Sequence, residues 1–436
     1  MGSSCTQYGK CIMNKLLLIV YYFPPCGGAA VQRWLRFVPQ LVNRGWQVTV
    51  ISPASGDYPF EDSSLLQKIP DQVKIIKTKT FSLNRLWKVI IGSKESIPYG
   101  SLEITKDSSL LKRLLIWLRV NLIIPDMRVF WNPFAYRAAV QELSKDRYDL
   151  VITSGPPHST HLVGLKLQQM LKISWVADFR DPWSTIHYLQ MRKPTKLSFS
   201  IHRYMESQVL KMANLSLVVS EPIADKLPEG NKMVLLNGYD ATDFVGLEYS
   251  PTSEFRIKYV GQVTTGQDIQ SLLQAFKRFL TEYNAKFSFV GTKLSKIDLI
   301  RSNEVIPDLE VVSFVSHKMA IEEMVNSELL IIIINDTYDN MGIITTKLFE
   351  YIGSKTPILC IGPAGSEAEK IVTLFDSGKC FTSPFDSGVL IYLEDLFQKW
   401  STANAVRNVT DISPLSVQKQ IDKLDESLRR VMSARK

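Results

Sequence analysis

Nowhere in the 436 residues does an apolar run reach the roughly 18 to 20 residues that a bilayer-spanning helix needs. The strongest candidate, Leu110 to Ile124, is broken by Lys112, Arg113, Arg119 and Asn121, so no spanning helix is expected. Cysteine is scarce too. Cys5, Cys11, Cys26, Cys360 and Cys380 are odd in number and scattered, without the paired spacing of a zinc site or a disulfide framework, which suits a reducing cytosol. No block of like charge accompanies the formal net charge of +8, so wrapping of nucleic acid is not expected; an anionic membrane surface or a phosphorylated substrate fits better. Neither Gly-x-Gly-x-x-Gly nor Gly-x-x-x-x-Gly-Lys occurs, and readings as a dehydrogenase or a P-loop ATPase lose their support. Residues 1–12 precede a second methionine, Met13, and lack an apolar core and a cleavage site; they read as an upstream extension and not a signal peptide. Met1-Gly2-Ser3-Ser4-Cys5-Thr6 matches the short myristoylation pattern.

What is present is an alternation of apolar strands and amphipathic helices. Lys15 to Tyr22 reads as a strand that runs into Pro24-Pro25-Cys26-Gly27-Gly28 and then a helix, and Gly45 to Ser52 supplies a second strand. Later strands fall at Tyr148 to Ser154, Trp175 to Asp178, Leu215 to Ser220, Phe255 to Val260, Lys286 to Val290, Leu309 to Phe314, Leu329 to Ile334 and Pro357 to Ile361. A chain this long exceeds one ordinary core, so two domains of roughly 150 to 250 residues are expected. The polar stretch from Tyr239 to Glu254 reads as the linker. The divisions are 13–245, 254–412 and a final helix at 413–436 that packs back on the domains. The fold class is α/β, with two parallel-sheet domains facing across a cleft.

Five stretches stand out chemically. Gly342 to Tyr351 follows the buried strand Leu329 to Ile334 and sets a loop, a cation and a carboxylate at a helix start: Thr346 and Lys347 lie beside the positive dipole end, and Glu350 lies one turn on. Such a place suits a phosphate and a ribose diol, although a Lys/Glu pair on an exposed helix face reads equally well. Gly27 and Gly28 remove side chains where a backbone turns tightly and where a diphosphate could approach, or they are plain architecture. His158 and His161 lie three apart, without a third ligand at metal-site spacing, and Asp178-Phe179-Arg180-Asp181-Pro182-Trp183 crowds charges and rings at a strand end. Finally, Leu110 to Arg119 mixes aliphatics, a tryptophan and basic residues, as either a membrane-interface helix or a core-packed helix with snorkelling cations.

The Lys347-x-x-Glu350-Tyr351 helix start, followed by Pro357-Ile358-Leu359, resembles the donor-binding motif of GT-B glycosyltransferases of the large retaining family numbered four. The resemblance extends over the chain from Met13. Phe23 to Arg33 is similar to the first glycine loop of these enzymes, and Val260-Gly261 to the opening of their second domain. Ser154 to Ser159 and Asp178 to Trp183 are similar to two acceptor-side loops of a bacterial branch that builds surface polysaccharides. The resemblance implies two Rossmann-like domains, the second holding a nucleotide sugar and the first a saccharide or lipid-linked saccharide acceptor. It implies sugar transfer with retention, in the cytoplasm or on the inner face of the cell membrane, where Leu110 to Arg119 would touch anionic lipid.

Two departures follow. Relatives commonly carry a basic pair in the glycine loop of the second domain, where this chain has Gln262 and Gly266-Gln267, and a first glutamate at the position of Gly342. Lys347, backbone N–H groups near Gly342 and Gly28, and the hydroxyls of Thr264 and Thr265 are expected to compensate. Asp-x-Asp is absent, so no metal and no other cofactor is expected; the diphosphate leaves on cations and oriented N–H groups alone. His158 and Asp181 are the side chains expected near the reacting hydroxyl. A non-catalytic nucleotide-sugar-binding subunit and a GT-B nucleotide-sugar epimerase are the competing readings.

Overall fold

The computed structural model describes residues 14–58, 60–81, 110–264, 266–307, 309–313, 315–335, 340–403 and 406–434; the extension and its myristoylation pattern lie outside them. The chain forms two compact units. One comprises the chain up to Val218 with Leu227–Met233 and the stretch from Ile421; the other comprises Val219–Lys226 and Val234–Gln420.

The first unit is built on strands β1 (Asn14–Val20), β2 (Trp46–Pro53), β3 (Lys74–Thr78), β4 (Leu150–Gly155), β5 (Trp175–Phe179), β6 (Leu215–Val218) and β7 (Lys232–Val234), in the order β3-β2-β1-β4-β5-β6-β7. The pairs β1 with β2 and β4, β2 with β3, and β5 with β4 and β6 are parallel. Leu16 to Val20 are sealed on both faces, which is why β1 reads as a continuous apolar run and not an alternation. The last helix, Val417–Ser433, buries Ile421, Leu424 and Leu428. Its Asp422 accepts from Arg44, and its Asp425 from the Trp46 indole at 2.6 Å.

The second unit repeats the scheme with β8 (Phe255–Val260), β9 (Ala285–Val290), β10 (Glu310–Val312), β11 (Leu329–Ile333), β12 (Ile358–Ile361) and β13 (Gly378–Phe381), in the order β10-β9-β8-β11-β12-β13. All its paired strands run parallel. In β11, Leu329, Ile331 and Ile333 face helices Ile269–Glu282 and Ser387–Ala403, while Leu330 and Ile332 face helices His317–Val325 and Thr346–Gly353. Pleat geometry alternates the faces, and both are dry. Strand β13 escapes a sequence reading because it is four residues, Gly-Lys-Cys-Phe, on a sheet edge. Residues 239–254 run against this unit: Tyr239 exchanges backbone bonds with Leu415 and Val417, and Phe244 packs on Gly353.

In each sheet the chain starts in the middle, builds outward to one edge, then returns and builds to the other. The reversal falls between β1 and β4 in one unit and between β8 and β11 in the other. Ligands of open parallel sheets collect outside the carboxyl ends of strands at that reversal.

Candidate functional site

The loop leaving β8 is built around one lysine. Gly261 has φ +120°, and a Cβ there would meet Lys347 Cδ at 2.6 Å, so the missing side chain lets Lys347 lie across the loop. Lys347 Nζ donates to the Tyr259 hydroxyl at 2.6 Å and to the Gln262 carbonyl at 3.1 Å, 4.3 Å from the Tyr259 ring centroid. Burial pushes its pKa down to about 8, with the charge of Glu350 opposing. Gln267 braces the same loop: its Oε1 accepts from Thr264 N at 3.0 Å and from the Tyr259 hydroxyl at 2.9 Å, and its Nε2 donates to Ile333 O at 2.8 Å. Gln262 Nε2 donates to Gly291 O, and Thr264 Oγ1 exchanges a bond with the Asn335 side chain. Thr265 lies outside the described residues.

Tyr351 fixes the helix that delivers Lys347. Its hydroxyl donates to Val260 O at 2.9 Å and accepts from Val260 N at 2.8 Å, one residue before Gly261. The start of this helix differs from those of four others in the unit. The helices at Ile269, Lys296, His317 and Glu367 are each capped by the side chain of the preceding Asp268, Ser295, Ser316 or Ser366. Thr345 caps nothing, so the first turn at Thr346 and Lys347 keeps N–H groups and dipole without a side-chain cap. Glu350 is 9% exposed, one turn beyond Lys347. Gly342 lies elsewhere: its carbonyl accepts from Ser220 Oγ at 2.9 Å, and a Cβ there would meet Ser220 Oγ and Ile223 Cγ1 at 2.9 Å. The absence of a side chain at Gly342 serves that packing.

In the first unit, Gly28 has φ +93° and opens helix Ala29–Asn43, whereas Gly27 lies under Phe60 and bonds its carbonyl at 3.0 Å. Arg180 gathers the surrounding loops. Its guanidinium donates to Ala30 O after the glycine turn, to Gly155 O at 3.1 Å and to Pro156 O at 2.7 Å. Beneath it, Asp178 is fully buried and receives Arg33 at 3.1 Å, the Trp34 indole at 2.9 Å and Ser154 Oγ at 2.8 Å.

His158 follows β4 and is 3% exposed, stacked on Trp183 with centroids 5.4 Å apart and planes 7° apart. Burial pushes its pKa down to about 3, against a smaller upward pull from the Pro182 backbone, so the ring is neutral near pH 7. His161 turns inward, with Nδ1 2.9 Å from Thr153 Oγ1, on which the Trp175 indole also donates at 2.9 Å. It belongs to the core. Trp183 is held from behind: its indole donates to His202 Nδ1 at 3.1 Å, and Glu206 accepts from Trp183 N, Ser184 N and Ser184 Oγ. Asp181 lies on the same turn and is exposed.

His158 and Asp181 are thus brought onto adjoining loops, and Lys347, Gln262, Thr264, Thr346 and Glu350 onto one strand end of the other unit. The sequence alone did not single out Tyr259, His202 and Glu206, and it marked Gln267 only as an occupant of the loop that lacks the basic pair. No motif marks them, because each acts through a contact between segments distant in sequence. Among the described residues no group of three His, Cys, Asp or Glu side chains converges as a metal site would.

No protein-family model matches the chain, and no curated protein does. Solved structures do. A glycosyltransferase from Rickettsia africae ESF-5 superposes with a TM-score of 0.61 at 13% identity, over 97% of this chain and 99% of that one. HepE from Anabaena, in complex with UDP-glucose, gives 0.61 at 13% identity over 95% and 99%. The catalytic domain of starch synthase IV from Arabidopsis thaliana, bound to ADP and acarbose, gives 0.58 at 11% over 96% and 99%. At these identities the likeness is one of fold: two parallel-sheet α/β units with the GT-B architecture of these glycosyltransferases.

Proposed function

We propose that the protein is a glycosyltransferase that takes a sugar from a nucleotide sugar bound by the second unit and transfers it, with retention and as a hexosyl group, to a saccharide or lipid-linked saccharide. The observation that carries this is the helix start at Thr346: uncapped, pinned by Tyr351 to the strand before Gly261, and supplied with a half-buried lysine. Oriented N–H groups and a cation meet a diphosphate there, and Glu350 one turn on suits a ribose diol. Leaving-group charge is met without a divalent ion, so activity should persist in excess EDTA; loss restored by magnesium would overturn that part. His158, neutral and held by Trp183, and exposed Asp181 are assigned to the acceptor hydroxyl.

The setting we propose is surface polysaccharide synthesis in the cytoplasm, at the inner face of the membrane. No described helix is long and apolar enough to cross a bilayer. Helix Leu110–Leu122 packs Ile116 and Val120 against Ile186 and Leu189, while Leu110, Leu114, Trp117 and Leu122 are exposed beside Arg113. An amphipathic face of this kind suits an anionic lipid surface. Incubation with a panel of nucleotide sugars tests the activity: slow hydrolysis or transfer supports it, isomerised donor alone indicates an epimerase, and binding without turnover indicates a non-catalytic subunit.

A further inference from the structure

Of the described cysteines, Cys26, Cys360 and Cys380, the fold brings together two that the sequence leaves scattered. Cys360 in β12 and Cys380 in β13 are register partners on neighbouring parallel strands, flanked by the pairs Leu359 with Lys379 and Ile361 with Phe381. Residues at one register position of a pleated sheet point to the same face. Core packing agrees: Cys360 is buried in the cluster that contains Ile332, Phe349 and Ile371, and Cys380 packs against it, whereas Leu359, Ile361 and Phe381 belong to the opposite face. Registered neighbours stand about 4.8 Å apart, within the roughly 4.4 to 6.8 Å between Cα atoms that a disulfide bridges. The Cys360 thiol is also hydrogen-bonded to that of Cys380, and this bond first, with burial second, holds its pKa well above the ordinary value.

The two sulfurs differ in reach. Cys360 is 1% exposed between Ile332 on β11 and Cys380, whereas Cys380 is half-buried on the strand that ends the sheet. A lone buried thiol is inert, because the thiolate is the nucleophile and burial disfavours it. Cys26 is of that kind, buried and donating to the Gly27 carbonyl at 3.3 Å. Cys360 differs, since the sulfur it would react with is already beside it.

We infer that Cys360 and Cys380 form a redox modification site, a dithiol that a low-molecular-weight disulfide converts into an intramolecular disulfide. The half-buried Cys380 sulfur attacks the small disulfide and forms a mixed disulfide, and its proton passes to the thiolate released. Cys360 then attacks the Cys380 sulfur; the second small thiolate leaves and takes the Cys360 proton. Two protein thiols are oxidised and one small disulfide is reduced to two thiols. The new bond fastens the edge strand β13 to β12 and closes the loop of residues 361–379, which contains helix Glu367–Leu374. A bridge of this kind restricts the unfolded chain and so stabilises the second unit. The site is independent of the transferase reading and holds whether or not Lys347 meets a diphosphate.

The test uses the full chain, reduced and then equilibrated with glutathione disulfide, with remaining thiols blocked by iodoacetamide before digestion. Trypsin cuts between the two cysteines at Lys379, so mass mapping reads the bond as one species that joins both peptides and is lighter than their sum by two hydrogens. The wild type should yield that species, and excess reduced glutathione should return both cysteines to the alkylated form. Cys360→Ser should stop at a mixed disulfide of glutathione with Cys380, and Cys380→Ser should leave Cys360 unmodified, because the buried sulfur does not meet the oxidant. Wild-type Cys360 and Cys380 both recovered as free thiols, or Cys380 recovered only as the glutathione adduct, overturns the assignment. The wild-type map decides this by itself if a serine variant misfolds. A thermal melt reads the consequence: the oxidised wild type should melt above the reduced protein, and Cys380→Ala should erase the difference. Equal melting of the two wild-type forms would overturn the fastening of β13.

Discussion

The two units share one strand order and spend it differently. At its strand ends the first unit buries a polar layer: the Arg33–Asp178 pair, three histidines and Glu206, tied by indoles, hydroxyls and the Arg180 fork. At the matching place the second unit keeps a short uncapped helix, one half-buried lysine on a glycine and a loop braced by Gln267. A sheet reversal occurs in both, but side chains decide whether its strand ends carry a buried polar layer or an uncapped helix start beside a lysine. Low dielectric makes the first arrangement costly to disturb, whereas the second can exchange its internal partners for a ligand.

That contrast predicts opposite responses to removing a charge. Asp178→Asn leaves the Arg33 guanidinium buried without its carboxylate and should cost about 3 to 5 kcal/mol in urea unfolding of the first unit. Lys347→Met, in the second unit, should cost less, about 1 to 2 kcal/mol, because it gives up hydrogen bonds to two neutral acceptors, the Tyr259 hydroxyl and the Gln262 carbonyl. Comparable losses for both would erase the distinction.

Acid should separate the units next. His158 and His202 are held by burial at about 3 and about 4, and His161 well below its ordinary value. These folded values lie below the unfolded value, so the unfolded chain binds more protons below pH 6.5, and stability falls as pH drops from there toward the folded values. Each histidine contributes about 1.4 kcal/mol per pH unit in that window. His161→Phe, which keeps a ring against Phe179, should flatten the acid slope of the melting temperature by one such increment; an unchanged slope would mean that His161 titrates normally.

Lys347 works in the alkaline direction. With its pKa near 8, the free protein loses this proton above that pH, and a bound diphosphate should restore it. UDP affinity should therefore fall up to about tenfold per pH unit above pH 8, with proton uptake on binding read from calorimetry in buffers of different ionisation heat. Lys347→Met should show neither effect. The smallest expected effect concerns the surface: Arg113→Gln should weaken binding to anionic vesicles by about 1 kcal/mol, and equal binding to neutral vesicles would remove the electrostatic part.

Much of this was legible in the sequence. Strands β1 and β11 announce themselves as apolar runs because both faces are dry, and Lys347, Glu350 and Gly28 sit at strand-to-helix junctions where patterning already places them. Less visible was what each side chain touches. Gly342 lies in the loop that precedes the Lys347 helix, yet it packs against Ser220, a partner 122 positions away. Gln267, which takes a bracing role in the loop that lacks the basic pair, looks like any polar loop residue until Tyr259 and Ile333 are folded beside it. Arg119 reads as an interfacial cation; only the packing of Ile116 and Val120 on the same helix turns it inward.

If the second unit holds a nucleotide diphosphate through Lys347 and its ribose through Glu350, calorimetry with uridine, UDP and the best nucleotide sugar should separate the two side chains. Glu350→Gln should weaken all three, by the 1.5 to 3 kcal/mol or so of a charge-assisted hydrogen bond, and Lys347→Met should spare uridine while weakening both diphosphates. Unchanged affinities for all three ligands in both variants would contradict the account.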